Sequence, residues 1–211
     1  MSLKQASALI VVILLIDQVS KFYIKTHFML GDEIRVFDWF RILFVENKGM
    51  AWGAQIPGEY GKLLLTTFRL IAVPFIGYWL WDSVRKNGSR TLITAIALIF
   101  AGAVGNIIDS VFYGVIFEHS YNQVADFMPE AGGYAPMLYG HVVDMLYFPL
   151  WSGYLPEWLP IWGGEYFTFF EPVFNIADSA ITVGFFLLII FNKKVFPQDK
   201  KEQEQSKETV N

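Results

Sequence analysis

Four stretches of this sequence, roughly 6–24, 63–81, 91–113 and 173–191, are apolar over the length that a helix needs to cross a bilayer, about 20 residues. No other feature limits the fold so strongly. Inside hydrocarbon the backbone must satisfy its own hydrogen bonds, so each stretch is expected to be a transmembrane helix. The chain is 54% hydrophobic and 18% aromatic over 211 residues, which leaves no room for a second domain. It reads as one membrane-embedded domain over 1–197, followed by a polar tail at 198–211 without aromatics, expected to be disordered.

Charge fixes the orientation. From Thr91 to Asn192 there is no Lys or Arg. Arg85, Lys86 and Arg90 crowd one short loop, Lys193, Lys194, Lys200 and Lys201 follow the last span, and Lys4 precedes the first. Basic residues collect on the cytoplasmic side, so both termini and the middle loop are expected inside. The first span lacks a small-residue cleavage site and is interrupted by Asp17 and Lys21, so it reads as a retained helix and not as a signal peptide. With no cysteine, disulfides and thiolate nucleophiles are excluded. The formal charge of −4 is unremarkable, and no nucleic-acid partner is expected.

Outside the spans, residues 33–45 are rich in Ile, Val, Phe and Trp and end in Asn47-Lys48-Gly49, the pattern of a small extracytoplasmic sheet and its turn. The stretch between spans three and four carries Tyr147-Phe148-Pro149-Leu150-Trp151 and Trp158-Leu159-Pro160-Ile161-Trp162. Trp and Tyr at this density suit the headgroup region, so it reads as one or two short amphipathic pieces lying on the outer leaflet.

Polar groups inside apolar spans carry the functional signal. In span four, Asn175, Asp178, Ser179 and Thr182 form one stripe at helical spacing. Asn, Ser and Thr can serve interhelical hydrogen bonding alone. Asp178 is harder to explain that way, because a carboxylate at a membrane-helix centre costs about 2.5–3.5 kcal/mol and is usually functional. Asp144, in Gly140-His141-Val142-Val143-Asp144, is a second acid in an apolar segment. Two neighbouring carboxylates divide into one base and one acid, the apparatus of an aspartic hydrolase. Span three carries Asn106 and Asp109 on one face: Asn106 reads as a positioning group, and Asp109 as either a site residue or an interfacial cap. Asp17 and Lys21, at i and i+4, read as a structural ion pair. His141 with Asp144 and Asp178 would make only a thin metal site, and neither His-Glu-x-x-His nor Gly-x-Ser-x-Gly occurs. A metal-free pair of acids is the simplest catalytic reading.

These residues together resemble the bacterial lipoprotein signal peptidase (signal peptidase II) family of membrane aspartic proteases. Asp17-Gln18-Val19-Ser20-Lys21 is similar to its Asp-x-x-x-Lys motif, and Asn47-Lys48-Gly49-Met50-Ala51-Trp52-Gly53 to its Asn-x-Gly-x-Ala-aromatic-Gly loop. Gly105-Asn106-Ile107-Ile108-Asp109, Val142-Val143-Asp144 and Phe174-Asn175-Ile176-Ala177-Asp178-Ser179 follow in the family's order. The resemblance implies Asp144 and Asp178 as catalytic residues. Asn47, Gly49, Asn106, Asp109, Asn175 and Ala177 would bind or orient substrate, with Asp17 and Lys21 in support. It also implies a prolipoprotein substrate carrying a diacylglyceryl cysteine, cleavage just before that cysteine, and a monomer among lipids of the bacterial cytoplasmic (inner) membrane. No metal or cofactor is implied.

Two departures stand out. Ser110 occupies the place of the family's Arg, whose substrate contact would have to come from elsewhere, with Lys48 and Arg41 as candidates. The outer segments are long, with an insertion at about 110–139 and an extended loop at about 149–171. The insertion holds a rival motif, Val124-Ala125-Asp126-Phe127. Asp144 is preferred for its Gly140 and Val142-Val143 approach and the apolar Met-Leu-Tyr-Phe that follows. The competing class is a small transporter or ion pathway built on intramembrane carboxylates. Against it stands the lack of repeats and matched broken helices.

Overall fold

The computed structural model describes residues 1–48 and 60–192. Its helices follow the apolar spans. Helix α1 (Leu3–His27) opens with a capping box in which Ser2 and Gln5 satisfy each other's backbone N–H groups. After the hairpin β1 (Glu33–Phe37) and β2 (Phe40–Asn47) come α2 (Gly61–Arg85) and α3 (Arg90–Ile108), the latter capped by Ser89 on the Leu92 N–H. At 1.5 Å per residue, the 25 residues of α1 and of α2 each reach roughly 37 Å, enough to cross a bilayer core. Val11, Leu15, Val19, Phe68, Phe75 and Phe185 are among the many apolar side chains left exposed on the helices, a belt far too extensive for water.

Beyond α3 the chain makes a π-helical turn, Asp109–Tyr113, and the one-turn α4 (Gly114–Ile116). Strands β3 (Val142–Tyr147), β4 (Trp151–Tyr154), β5 (Tyr166–Phe169) and β6 (Val173–Phe174) precede α5 (Ile176–Ile190). The sheet expected at 33–45 forms as this hairpin, with β2 running on through Asn47, and it grows into an antiparallel sheet of order β1-β2-β3-β6. The aromatic stretch expected as pieces lying flat instead pairs as a ribbon, β4 against β5, with Trp151 opposite Phe169 and Tyr154 opposite Tyr166. Span four is shorter than its apolar run, because Val173 and Phe174 pair with Tyr147 and Leu146 of β3 before the helix begins.

Two glycines set how closely the helices meet. A Cβ on Gly102 would lie 2.2 Å from the Ala177 carbonyl oxygen, and one on Gly105 2.7 Å from Asp17 Oδ2. Their small size lets α3 pack on α5 and α1 at backbone distance. The insertion is tied back by its own backbone: Met128 N–H donates to Ile116 O (2.7 Å), Tyr134 N–H to Phe117 O (3.0 Å) and Gly140 N–H to Ser110 O (2.9 Å). A Cβ on Gly140 would meet Asp109 O at 2.1 Å, so only glycine lets β3 start beside the end of α3. That contact brings residues over thirty positions apart into one site.

Candidate active site

Asp178 stands in the first turn of α5, not at its centre, where the positive end of the helix dipole favours an anion. Asn175 caps that helix, its Oδ1 accepting the Asp178 N–H at 2.8 Å. The same side chain turns its amide to Asp144 of β3, donating to Oδ1 at 2.7 Å and to the Val143 carbonyl at 3.2 Å. Asn47, at the end of β2, donates to Asp144 Oδ2 at 3.2 Å. Asn106 of α3 donates to Asp178 Oδ1 at 2.8 Å and accepts from Asn175 at 3.2 Å. One amide pair therefore joins the two carboxylates, and both face a cavity of about 630 Å³. Asn47, Arg69, Asn106 and Thr182 share its wall with the apolar Phe170, Phe174 and Ile181.

Asp144 is 2% exposed. Burial, and next the charge of Asp178, push its carboxyl up to about 7 against the opposing hydrogen bonds from Asn47 and Asn175. A group with that value exchanges its proton near neutrality, as a catalytic acid must.

Behind the cavity lies a second, fully buried layer. Lys21 Nζ bonds Asp17 Oδ2 at 2.9 Å, Asp109 Oδ2 at 2.8 Å and Asn106 Oδ1 at 3.0 Å. Asp17 Oδ1 accepts the Ala177 N–H at 2.9 Å, one of the orphan donors at the start of α5. Asp109 Oδ2 accepts the Val143 N–H at 3.2 Å, one residue before Asp144. Asp109 is therefore neither an interfacial cap nor a wall of the cavity; it and Ala177 brace the strand and helix that carry the acids. Asp17 and Lys21 form the ion pair expected of them, and it reaches the dyad through Asn106.

Gly49 lies outside the described residues. Asp126 is exposed on the insertion, away from the cavity lining. His141 turns to Glu46, Nδ1 to Oε2 at 3.0 Å, and its neighbours there are Tyr134 and, through Glu46, Lys25 and Ser120. Burial pushes Glu46 up, but His141 and Lys25 outweigh it and hold the carboxyl below its ordinary range. Arg41 does not stand in at Ser110: it pairs with Glu33 at 3.0 Å, and Lys48 is exposed. Ser110 instead receives a hydrogen bond from Lys62 Nζ at 3.2 Å.

Sequence reasoning passed over Gln18, Lys62 and Arg69. Gln18 donates to Asp17, Asp109 and the Gly105 carbonyl, locking the support layer. Arg69 had a readable signal, a charge within an apolar span, the same rule that singled out Asp178.

The chain matches known proteins over most of its length. A family model described as signal peptidase (SPase) II matches residues 9–193. The lipoprotein signal peptidase of Porphyromonas gingivalis is 50% identical over 188 residues, covering 89% of this chain and 82% of its own. That of Amoebophilus asiaticus is 37% identical over 198 residues, covering 92% and 80%. A bacterial membrane enzyme solved by the in meso method at 2.3 Å resolution superposes with a TM-score of 0.60 at 26% identity, over 93% of each chain. With two aspartates tied across one cavity and relatives matched over most of its length, this chain belongs to the lipoprotein signal peptidase family, aspartic-type endopeptidases that cleave signal peptides from prolipoproteins.

Proposed function

We propose that Asp144 and Asp178 are the catalytic pair, and that they act on a prolipoprotein whose signal peptide lies along the helices with its diacylglyceryl cysteine at the cavity. The observation that carries this reading is the Asn106–Asn175 amide bridge, which joins both carboxylates at the wall of one cavity. Four helices span the bacterial cytoplasmic membrane with both termini inside, since Lys and Arg crowd the loop at 85–90 and the segment after the last span and are missing from the long outer stretch between spans three and four. The cavity then opens at the outer leaflet, on the side of the sheet.

Burial and the charge of Asp178 keep the shared proton on Asp144. Asp178, at a helix N-terminus with an amide donor on Oδ1, carries the negative charge. Asp178 takes a proton from a water as its oxygen adds to the scissile carbonyl carbon. Asp144 stabilises the developing oxyanion by hydrogen bonding, then gives its proton to the leaving amine as the C–N bond breaks. The apolar rim, Phe170, Phe174 and Ile181, limits water around the pair. Asn47 and Asn175 hold Asp144 by its two oxygens and so fix its orientation.

The test is direct. Detergent-purified protein incubated with lipid-modified prolipoprotein should release the signal peptide. Asp144→Asn and Asp178→Asn should each abolish release while still inserting and purifying, and Asp126→Asn should retain it. Turnover kept in Asp144→Asn and lost in Asp126→Asn would transfer the role to the insertion. No release from any lipidated substrate would favour the transporter reading.

A further inference from the structure

The buried acids outnumber the cation that α1 supplies. Asp17 and Asp109 are both fully buried and share the single ammonium of Lys21. The ionised member of the dyad adds a third negative charge close by. Lys25 and Arg41 do not balance these, since they pair with Glu46 and Glu33.

Helix α2 presents what is missing. Lys62, Thr66 and Arg69, at i, i+4 and i+7, form one polar stripe on the first half of a mostly apolar helix. Each is aimed at the site: Lys62 Nζ donates to Ser110, the residue after Asp109, at 3.2 Å; Thr66 Oγ1 donates to the Leu138 carbonyl at 3.0 Å; Arg69 lines the cavity itself. With those two charges the ions of the site balance among the described residues. Arg69 shares the cavity wall with both Asp178 and Asp144.

We propose that Arg69 is a positioning residue for the dyad: its guanidinium, carried into the cavity by α2, holds the pair's negative charge on Asp178 and so leaves Asp144 as the proton carrier. The inference rests on the reading of Asp144 and Asp178 as the catalytic pair. Asp178 shares the cavity wall with Arg69 of α2 and Asp144 of β3 and is bonded by Asn106 of α3, with Lys21 of α1 and Asp109 of the π turn behind that amide; Lys62 of α2 is engaged at Ser110. Arg69 is the cation that shares the cavity wall with Asp178. An opposite charge on the wall of a cavity favours an ionised carboxylate there.

The experiment compares Arg69→Gln and Arg69→Lys in the full chain with wild type, across pH, on a lipid-modified prolipoprotein. Arg69→Gln should move the acid limb of kcat/KM up by about one unit, and Arg69→Lys should restore most of that shift. A raised KM with the acid limb unmoved would make Arg69 a substrate contact and overturn the proposal. If Arg69→Gln gives no turnover, infrared titration of the Asp178 carboxyl in Asp144→Asn, with and without Arg69→Gln, decides the matter. The midpoint should rise by about one unit when Arg69 is removed, and an unchanged midpoint overturns the proposal. Failure of the dyad reading itself would appear elsewhere, as turnover surviving Asp144→Asn or Asp178→Asn, and would leave the infrared shift intact.

Discussion

Asn175 does two jobs that substitution can separate. Its carbonyl oxygen caps α5 through the Asp178 N–H, and its amide holds Asp144 and the Val143 carbonyl. Losing an N-cap costs about 1 kcal/mol. Leaving a buried acceptor such as Val143 O without its donor costs about 1–3 kcal/mol. Asn175→Ala loses both and should be destabilised by about 2–4 kcal/mol. Asn175→Ser keeps a capping oxygen and should recover about 1 kcal/mol. In a chain of this size that recovery is worth about 2–4 °C in Tm. Turnover should behave differently. Neither variant supplies the amide that orients Asp144, so both should lose roughly a hundredfold in kcat, the scale of a misplaced catalytic group. The amide also favours the ionised form of Asp144, so its removal should move the alkaline limb of the rate profile upward. Thermal unfolding in detergent, read beside turnover of a lipidated prolipoprotein across pH, measures all three. If Asn175→Ser regains turnover along with stability, or if the alkaline limb stays fixed in both variants, Asn175 is a cap and nothing more.

The remaining predictions concern the wild-type site and its surroundings. Asp144 is raised to about 7, so its proton is held below that pH and lost above it; kcat/KM should fall as pH rises through about 7, and a profile still climbing at higher pH would remove Asp144 from the acid role. In the proposed mechanism the carboxylate pair supplies both acid and base, so cleavage should survive EDTA; loss on chelation with recovery on adding zinc would overturn the metal-free mechanism. The β4–β5 region carries exposed aromatics beside the cavity rim, and rings that rest in headgroups can serve a moving cover. Trp158→Ala combined with Trp162→Ala should lower kcat/KM severalfold without altering membrane insertion, and unchanged kinetics across several lipoprotein substrates would leave the ribbon a passive decoration.

How much of this was legible in the sequence depends on the range over which each signal acts. The apolar runs determined the helices, because membrane spanning is a property of about 20 consecutive residues. Charge asymmetry pointed to orientation, and the acids within apolar segments marked Asp144 and Asp178, because their cost in lipid is local. The stripe on span four was readable from its period alone. Only the tertiary structure decided the end of that span: pairing of Val173 and Phe174 with β3 overrides their hydropathy and leaves Asn175 to cap a shorter helix. It also made Asp109, open in the sequence between site residue and interfacial cap, a buried brace, since Lys21 and the Val143 N–H reach it from α1 and β3. The two amides that join the acids lie 69 positions apart, and no local pattern announces that they meet. Arg69 was visible as a charge in an apolar helix, but which way it faced was set by Lys62 and Thr66 engaging Ser110 and Leu138. Composition and period say what a segment must hide from lipid; contacts between segments far apart in the chain decide what each polar group is for.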